Sequence, residues 1–177
     1  EMLQKQFQIP MQCKETKVRE AFSFLRVVHA EGNEFAMVTS ADHLGETVFP
    51  LSIRNELRVL QSLSEAAQSA LKQFTTSLEY DNELLLDEKS YPSPSNERNI
   101  VVMRKGEKQV LSFFVELHRV FAPLLQMDYQ SLQEKVGDDE QLKALLNEKD
   151  SEGNDNGFKL YLNLVALPLV SRLNNQQ

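Results

Sequence analysis

The strongest constraint on the fold is a stripe of apolar residues that begins shortly after Pro50. That spacing places one row of side chains along one face of an α-helix. Its members follow alternating steps of four and three residues: Ile53, Leu57, Leu60, Ser64, Ala67, Leu71, Phe74 and Leu78. Ser52 is suited to cap the helix, because a serine hydroxyl can accept a hydrogen bond from a first-turn amide. We therefore predict one long central helix between Ser52 and Tyr80.

A second apolar row beside this stripe is the candidate interaction surface. It consists of Val59, Leu63, Ala66 and Ala70. The combined face is broad, which favours a helix in a globular core over a narrow coiled-coil seam. If the Ala66 and Ala70 side is left uncovered, its small residues would let a second copy of the helix approach about a two-fold axis. The row is our predicted contact with another protein or in a homodimer.

Several segments have the composition of strands. Residues 21–29 and 34–39 are rich in Phe and Val and flank the turn-forming residues 30–33, so we predict a β-hairpin. Residues 46–51 predict a short third strand, and residues 99–103 begin a second group of strands.

The segment that follows Gly106 fits two patterns. Helical spacing relates Val110, Phe114, Leu117, Phe121 and Leu124, whereas Leu111, Phe113, Val115 and Leu117 alternate as a strand would. Pro123 disfavours a regular helix at its own position. The sequence leaves residues 108–117 open between strand and helix.

The C-terminal part predicts both helix and strand. Residues 132–149 read as one or two short helices, interrupted near Gly137 and restarted by acidic residues 138–140. Residues 158–166 alternate as a half-buried strand, and Pro168 would end it or place it at a sheet edge.

These elements predict an α+β fold in which one long central helix packs with separated β-hairpins, with short C-terminal helices and a late strand. The chain has 177 residues, of which 41% are hydrophobic, and this suits one globular domain over residues 1–177. Flexible connections are expected near residues 87–99, where Ser and Pro alternate, and near residues 150–157, which are rich in Asn and Gly.

Composition excludes some classes of protein and disfavours others. A net charge of −7 argues against a nucleic-acid binder, since such proteins concentrate basic residues on one face. The single cysteine, Cys13, permits no intrachain disulfide and favours a reducing, cytoplasmic location, although a removed leader stays open because the chain starts at Glu1. Residues 160–170 are too short and too polar to span a membrane, so we expect no membrane insertion.

The sequence motifs that could indicate catalysis or metal binding are incomplete. His29 adjoins the predicted turn. The carboxylates of Asp42 and Glu46 could orient the imidazole of His43 or share a metal with it, but no second histidine lies nearby, so we predict no metal site and no cofactor. Residues 152–157 match half of a calcium loop, but the position of its required Glu holds Asn163. An enzyme with dispersed acid and base residues around His43 or His118 is the alternative function, with catalytic residues unknown.

A further alternative is nucleic-acid binding through the basic turn predicted at residues 98–108. Its candidate phosphate contacts are Arg98, Arg104, Lys105 and Lys108. Glu97 and Glu107 dilute this charge, which makes nucleic acid the weaker alternative.

The leading hypothesis is a non-enzymatic protein–protein interaction or assembly module, such as an adaptor, a chaperone-like protein or a regulatory subunit. It follows from an acidic composition, the lack of a local catalytic motif, and more apolar stripes than there are elements to cover them.

Overall fold

The computed structural model describes residues 16–39, 49–149, 153 and 155–174. In this part of the chain there is no β-sheet, and a single isolated bridge pairs Lys149 with Asp155. The α-helices are α1 (Thr16–Val28), α2 (Asn33–Thr39), α3 (Ile53–Leu71), α4 (Leu78–Leu86), α5 (Asn96–Leu124), α6 (Tyr129–Asp138), α7 (Glu140–Asn147), α8 (Gly157–Tyr161) and α9 (Leu167–Asn174). A π-helical turn, Leu162–Ala166, joins α8 to α9. The predicted α+β class, with its hairpins and late strand, is wrong.

The predicted strands are wrong because β-strand propensity depends strongly on context, and helical packing overrides it in these segments. The two arms of the expected hairpin lie in α1 and α2, and residues 99–103 lie in α5. Residues 158–166 form α8 and the π-helical turn, where Phe158, Leu162 and Ala166 are buried at helical spacing while Leu164 is exposed. Residues 49–51 have no regular structure, and residues 46–48 lie outside the described part.

The predicted central helix is interrupted near its C-terminal end. Its start is confirmed, since the Ser52 hydroxyl accepts a hydrogen bond of 3.0 Å from the amide of Asn55. α3 ends at Leu71, and a new cap at Ser77 begins α4 by accepting from the amide of Tyr80. The stripe of the sequence therefore spans two helices, and its last member, Leu78, belongs to the second.

The ambiguous segment 108–117 is helical throughout. It lies inside α5, a 29-residue helix that Ser95 caps through the amide of Arg98. Pro123 is accommodated in the last turn, one residue before the helix ends. One or two short helices were expected over residues 132–149, and two are present, α6 and α7, with Asp139 capping α7. The break lies after Asp138, so Gly137 itself belongs to α6.

The core forms where α3 and α5 pack together. The helices run antiparallel, because Ala70 shares a groove with Val110 while the other end of α3 meets the C-terminal half of α5 around Tyr161. Other helices close this core, and its buried apolar members include Phe22, Val59, Leu60, Phe113, Leu117, Phe121, Leu132, Leu146, Phe158, Leu169 and Val170.

A buried ion pair ties α1 to α3 and α8. The Arg26 guanidinium donates two hydrogen bonds, of 2.8 and 2.9 Å, to the Glu56 carboxylate. The Tyr161 hydroxyl donates to the same carboxylate at 2.7 Å, and its ring lies 4.7 Å from the centroid of Phe121. Burial, reinforced by Glu56, raises the pKa of Tyr161 well above its ordinary value, so the hydroxyl stays a donor.

We expect Leu60→Ala to lower the free energy of unfolding by about 2–5 kcal/mol, because a fully buried leucine leaves a cavity. Leu71→Ala should cost less than half as much, since Leu71 is only partly buried at the end of α3. Chemical denaturation measures both values. Equal losses for the two variants would contradict this description of the α3 face.

Tyr161→Phe should cost about 1.5–3 kcal/mol, because it removes a hydrogen bond to a buried charged group. The matched control is Tyr129→Phe, whose hydroxyl only accepts from the exposed amide of Gln133. We expect the control to change stability by less than about 0.5 kcal/mol in the same denaturation experiment. A loss at Tyr161 no larger than in the control would contradict the bond to Glu56.

Candidate protein-binding surface

One apolar stripe runs the length of α5. Steps of three and four residues alternate without interruption, so all its members lie on one helix face. The stripe consists of Ile100, Met103, Glu107, Val110, Phe114, Leu117, Phe121 and Leu124. Its single polar member is Glu107.

Burial along this stripe changes from one end of the helix to the other. Leu117, Phe121 and Leu124 are buried in the core. In contrast, Val110 is 40% exposed, Met103 68% and Ile100 61%. We call Ile100, Met103, Glu107 and Val110 the α5 extension.

A difference in helix length explains the exposure. α3 has 19 residues and α5 has 29, which corresponds to about 28 and 43 Å at about 1.5 Å per residue. Because the helices are antiparallel and α3 ends next to Val110, the N-terminal third of α5 continues past its partner. Along most of the α5 extension, the apolar stripe is therefore not covered by α3.

A shallow groove marks the point where α3 ends. It has a volume of about 500 Å³. Its lining residues are Ala70, Gln73, Phe74, Glu107, Val110 and Leu111. The groove is continuous with the α5 extension through Glu107 and Val110, so the two features form one surface.

The structure divides the interaction row predicted from the sequence. Ala70 lines the groove, and Ala66 is exposed one turn earlier on α3. Val59 is fully buried, and Leu63 packs against the core. Val59 is therefore not available for a contact, whereas a contact through Ala66 and Ala70 stays a prediction.

A buried carboxylate on α4 holds this helix against the N-terminal half of α5. Asp81 on α4 accepts a hydrogen bond from Lys108 Nζ at 2.6 Å and from Arg104 Nε at 3.0 Å. Lys108 also donates to the Thr76 hydroxyl and the Ser77 carbonyl, at 2.7 and 3.1 Å. These bonds fix the turn between α3 and α4 against α5.

Electrostatics keep Asp81 ionised. Burial alone would raise the pKa of its carboxyl, but the hydrogen bonds and positive charges of Arg104 and Lys108 outweigh burial and lower it. The Lys108 ammonium also lies 5.1 Å from the ring centroid of Phe74, which holds this ring at the groove.

The candidate phosphate contacts do not form a basic turn, since residues 98–108 lie within α5. Arg98 donates to the carbonyls of Leu85 and Tyr91, and both Arg104 and Lys108 bind Asp81. Lys105 is partly exposed. This arrangement uses three of the four cations to hold α5 against its neighbours and does not favour phosphate binding.

The histidines do not meet at one site in the described residues. His118 is partly buried on α5, while His29 forms a hydrogen bond of 2.8 Å with the Ser62 hydroxyl. His43 and Cys13 lie outside the described part of the chain. Across residues 16–39, 49–149, 153 and 155–174, no three His, Cys, Asp or Glu side chains are grouped to hold a metal ion.

Within the same ranges, no helix is long and apolar enough to cross a membrane.

An exposed apolar patch larger than scattered single residues commonly marks a site of interaction with another protein. Residues 1–111 match the family model described as Rubisco LSMT substrate-binding, and the chain belongs to this family. The match includes α3, α4 and α5 up to Leu111, and so the whole groove and the α5 extension. Searches of curated proteins and of solved structures gave no match. The family supports the predicted binding role and a protein as the partner, without identifying that partner.

Sequence reasoning missed Ile100 and Met103 as surface residues, because both fell in an expected strand. The signal was present: the three-and-four spacing recognised from Val110 to Leu124 continues upstream through Glu107 to Ile100.

The Asp81 cluster predicts a dependence of stability on pH. The pKa of Asp81 is lower in the folded protein than in the unfolded chain. Ionised Asp81 therefore stabilises the fold fully above the ordinary aspartate pKa of about 3.9, and this stabilisation is lost as pH falls through the lower folded-state pKa. Asp81→Asn should be markedly less stable than the parent at pH 7, and the difference should shrink as pH falls below about 4. Denaturation at several pH values measures this difference.

The control for this experiment is Asp138→Asn, an exposed substitution that should change stability by less than about 0.5 kcal/mol at pH 7. A constant difference between the parent and Asp81→Asn across the acid range would show that Asp81 does not titrate as the structure indicates.

Proposed function

We propose that this chain is a non-enzymatic substrate-binding module that holds a protein substrate on the α5 extension and the adjoining groove. The observation that carries the proposal is the apolar stripe of α5, which is buried at Leu117 and exposed at Met103. The family assignment adds that substrate binding is the role for which these proteins are named.

The geometry favours an amphipathic helix as the bound element. A stripe of apolar residues with three-and-four spacing is the surface through which two helices pack together. Leu117 and Phe121, which belong to this stripe, pack in the core in this way. A partner helix laid along the extension would bury Ile100 and Met103 and remove their apolar surface from water. Phe74 and Ala70 would flank it at the groove.

Glu107 adds selectivity to this contact. It is an exposed carboxylate within an otherwise apolar stripe, so a partner that covers it must supply a cation or a hydrogen-bond donor, or leave a charge desolvated. The proposed partner helix therefore carries a lysine or arginine between its apolar residues.

Rubisco is the first protein to test as the partner, because the family description names it. A homodimer through Ala66 and Ala70 is a different occupant of the same surface, and sedimentation of the purified chain distinguishes it. A cytoplasmic location and a single domain remain the predictions made from composition.

We expect Met103→Lys and Ile100→Lys each to weaken binding of purified Rubisco at least tenfold, because each places a charge in the buried centre of the contact. The matched control is Val102→Lys, which adds the same charge to α5 at a residue that is 49% exposed but outside the stripe. Binding is measured by isothermal titration calorimetry, with circular dichroism to show that each variant is folded.

Two results would reject this proposal. If Val102→Lys weakens binding as much as Met103→Lys, net charge rather than the stripe determines the interaction. If Rubisco binds the parent and all three variants equally, the binding surface is elsewhere on the chain. A parent that does not bind Rubisco at any accessible concentration would exclude Rubisco as the substrate.

A further inference from the structure

A second and larger groove lies on a different side of α5. It has a volume of about 820 Å³, within the range of about 300–1,000 Å³ typical of ligand-binding clefts. The turn between α3 and α4, the middle of α5 and the helix α7 all contribute to it. Its lining includes Leu78, Glu79, Val115, Ala144, Leu145 and Glu148, and we call it the α7 groove.

The exposed surface that lines the α7 groove is mostly apolar, and its unpaired charges are negative. Among the described residues, Glu79 and Glu148 form no ion pair, whereas the third carboxylate, Glu116, binds Arg119 at 2.7 Å. Partial burial raises the pKa of Glu148, so this carboxylate lacks full solvation. A cation brought to it would restore the favourable interaction that burial removes.

The ammonium group of Lys108, the other cation in the lining, is not available to bind a ligand. Lys108 also lines the α7 groove, but its ammonium has three donors, and Asp81, Thr76 and the Ser77 carbonyl accept them. Arg104 shares Asp81 with it. The uncompensated charges of the groove are therefore the carboxylates of Glu79 and Glu148.

We propose that the α7 groove binds a segment of another protein that carries a lysine or arginine beside aliphatic residues. The aliphatic side chains pack on Leu78, Val115 and Leu145, while the cation lies between the carboxylates of Glu79 and Glu148. Charge complementarity selects this occupant, because an acidic or purely apolar segment would leave both carboxylates partly desolvated and unpaired. The α7 groove shares no lining residue with the α5 extension or with the groove beside it.

The test uses the full chain and a fluorescent 12-residue peptide built from Lys, Leu, Ala and Ser, with a matched peptide in which Glu replaces Lys. Fluorescence anisotropy at low salt should show binding of the Lys peptide only. We expect Glu79→Gln/Glu148→Gln to weaken this binding at least fivefold, and added salt to weaken it for the parent. The control is Glu65→Gln/Glu134→Gln, which removes two exposed carboxylates from α3 and α6 and changes net charge equally.

A second pair of variants tests the location without removing acidic residues. Ala144→Lys places a cation in the α7 groove and should abolish binding of the Lys peptide, while Gln133→Lys adds the same charge on the exposed side of α6 and should weaken binding less than twofold. Met103→Lys should also have little effect, whereas it should prevent binding at the α5 extension.

Three results would overturn the inference. One is equal binding of the Lys and Glu peptides. Another is equal loss of binding in the two double variants, which would indicate non-specific attraction to an acidic protein. The third is full binding by Ala144→Lys in a folded protein.

Discussion

The pairing of α3 with α5 is the contact on which the rest of the structure depends. Together these helices bury Leu60, Phe113 and Leu117, and the shorter helices pack around the core they form. Since α5 is ten residues longer than α3, by 29 against 19, this pairing cannot bury the whole of α5. The same contact that forms the core therefore leaves an apolar surface at its end.

Two buried carboxylates hold other elements against this pair. Glu56 joins α3 to Arg26 of α1 and Tyr161 of α8, and so links the part of the chain that matches the family to the part that follows it. Asp81 fixes α4 against α5 through Arg104 and Lys108. Removing one partner of a buried pair leaves an uncompensated charge, so the loss of either partner destabilises the fold more than the intact pair stabilises it.

The sequence predicts those features that depend on local periodicity and capping. Ser52, the stripe from Ile53 to Leu71 and the cap at Asp139 all lie where their local patterns place them. The turn after Leu71 was not predictable, because it depends on Lys108, which lies 32 residues from Thr76 in the sequence and hydrogen-bonds to it. The strands were mistaken because alternation over a few residues, as in 158–166, occurs by chance within an amphipathic helix.

The candidate surface was only partly predictable for a related reason. Sequence spacing identifies the apolar stripe of α5, but which half of it is covered depends on where α3 ends, and this is a property of the assembled fold. Ala70 was singled out as a small residue on a helix face and lies in the groove. Val59, in the same row, is buried because another part of the chain packs over it.

Hydroxyl-radical footprinting in the presence of Rubisco tests the central claim most directly, because methionine oxidation reports exposure at the proposed contact. Met103 on the α5 extension and Met37 on α2 are 68% and 50% exposed, so both should be oxidised in the free protein. We predict that saturating Rubisco lowers oxidation of Met103 severalfold and leaves Met37 unchanged. Equal oxidation of Met103 in the free and Rubisco-bound protein would contradict the assignment of the α5 extension as the binding surface.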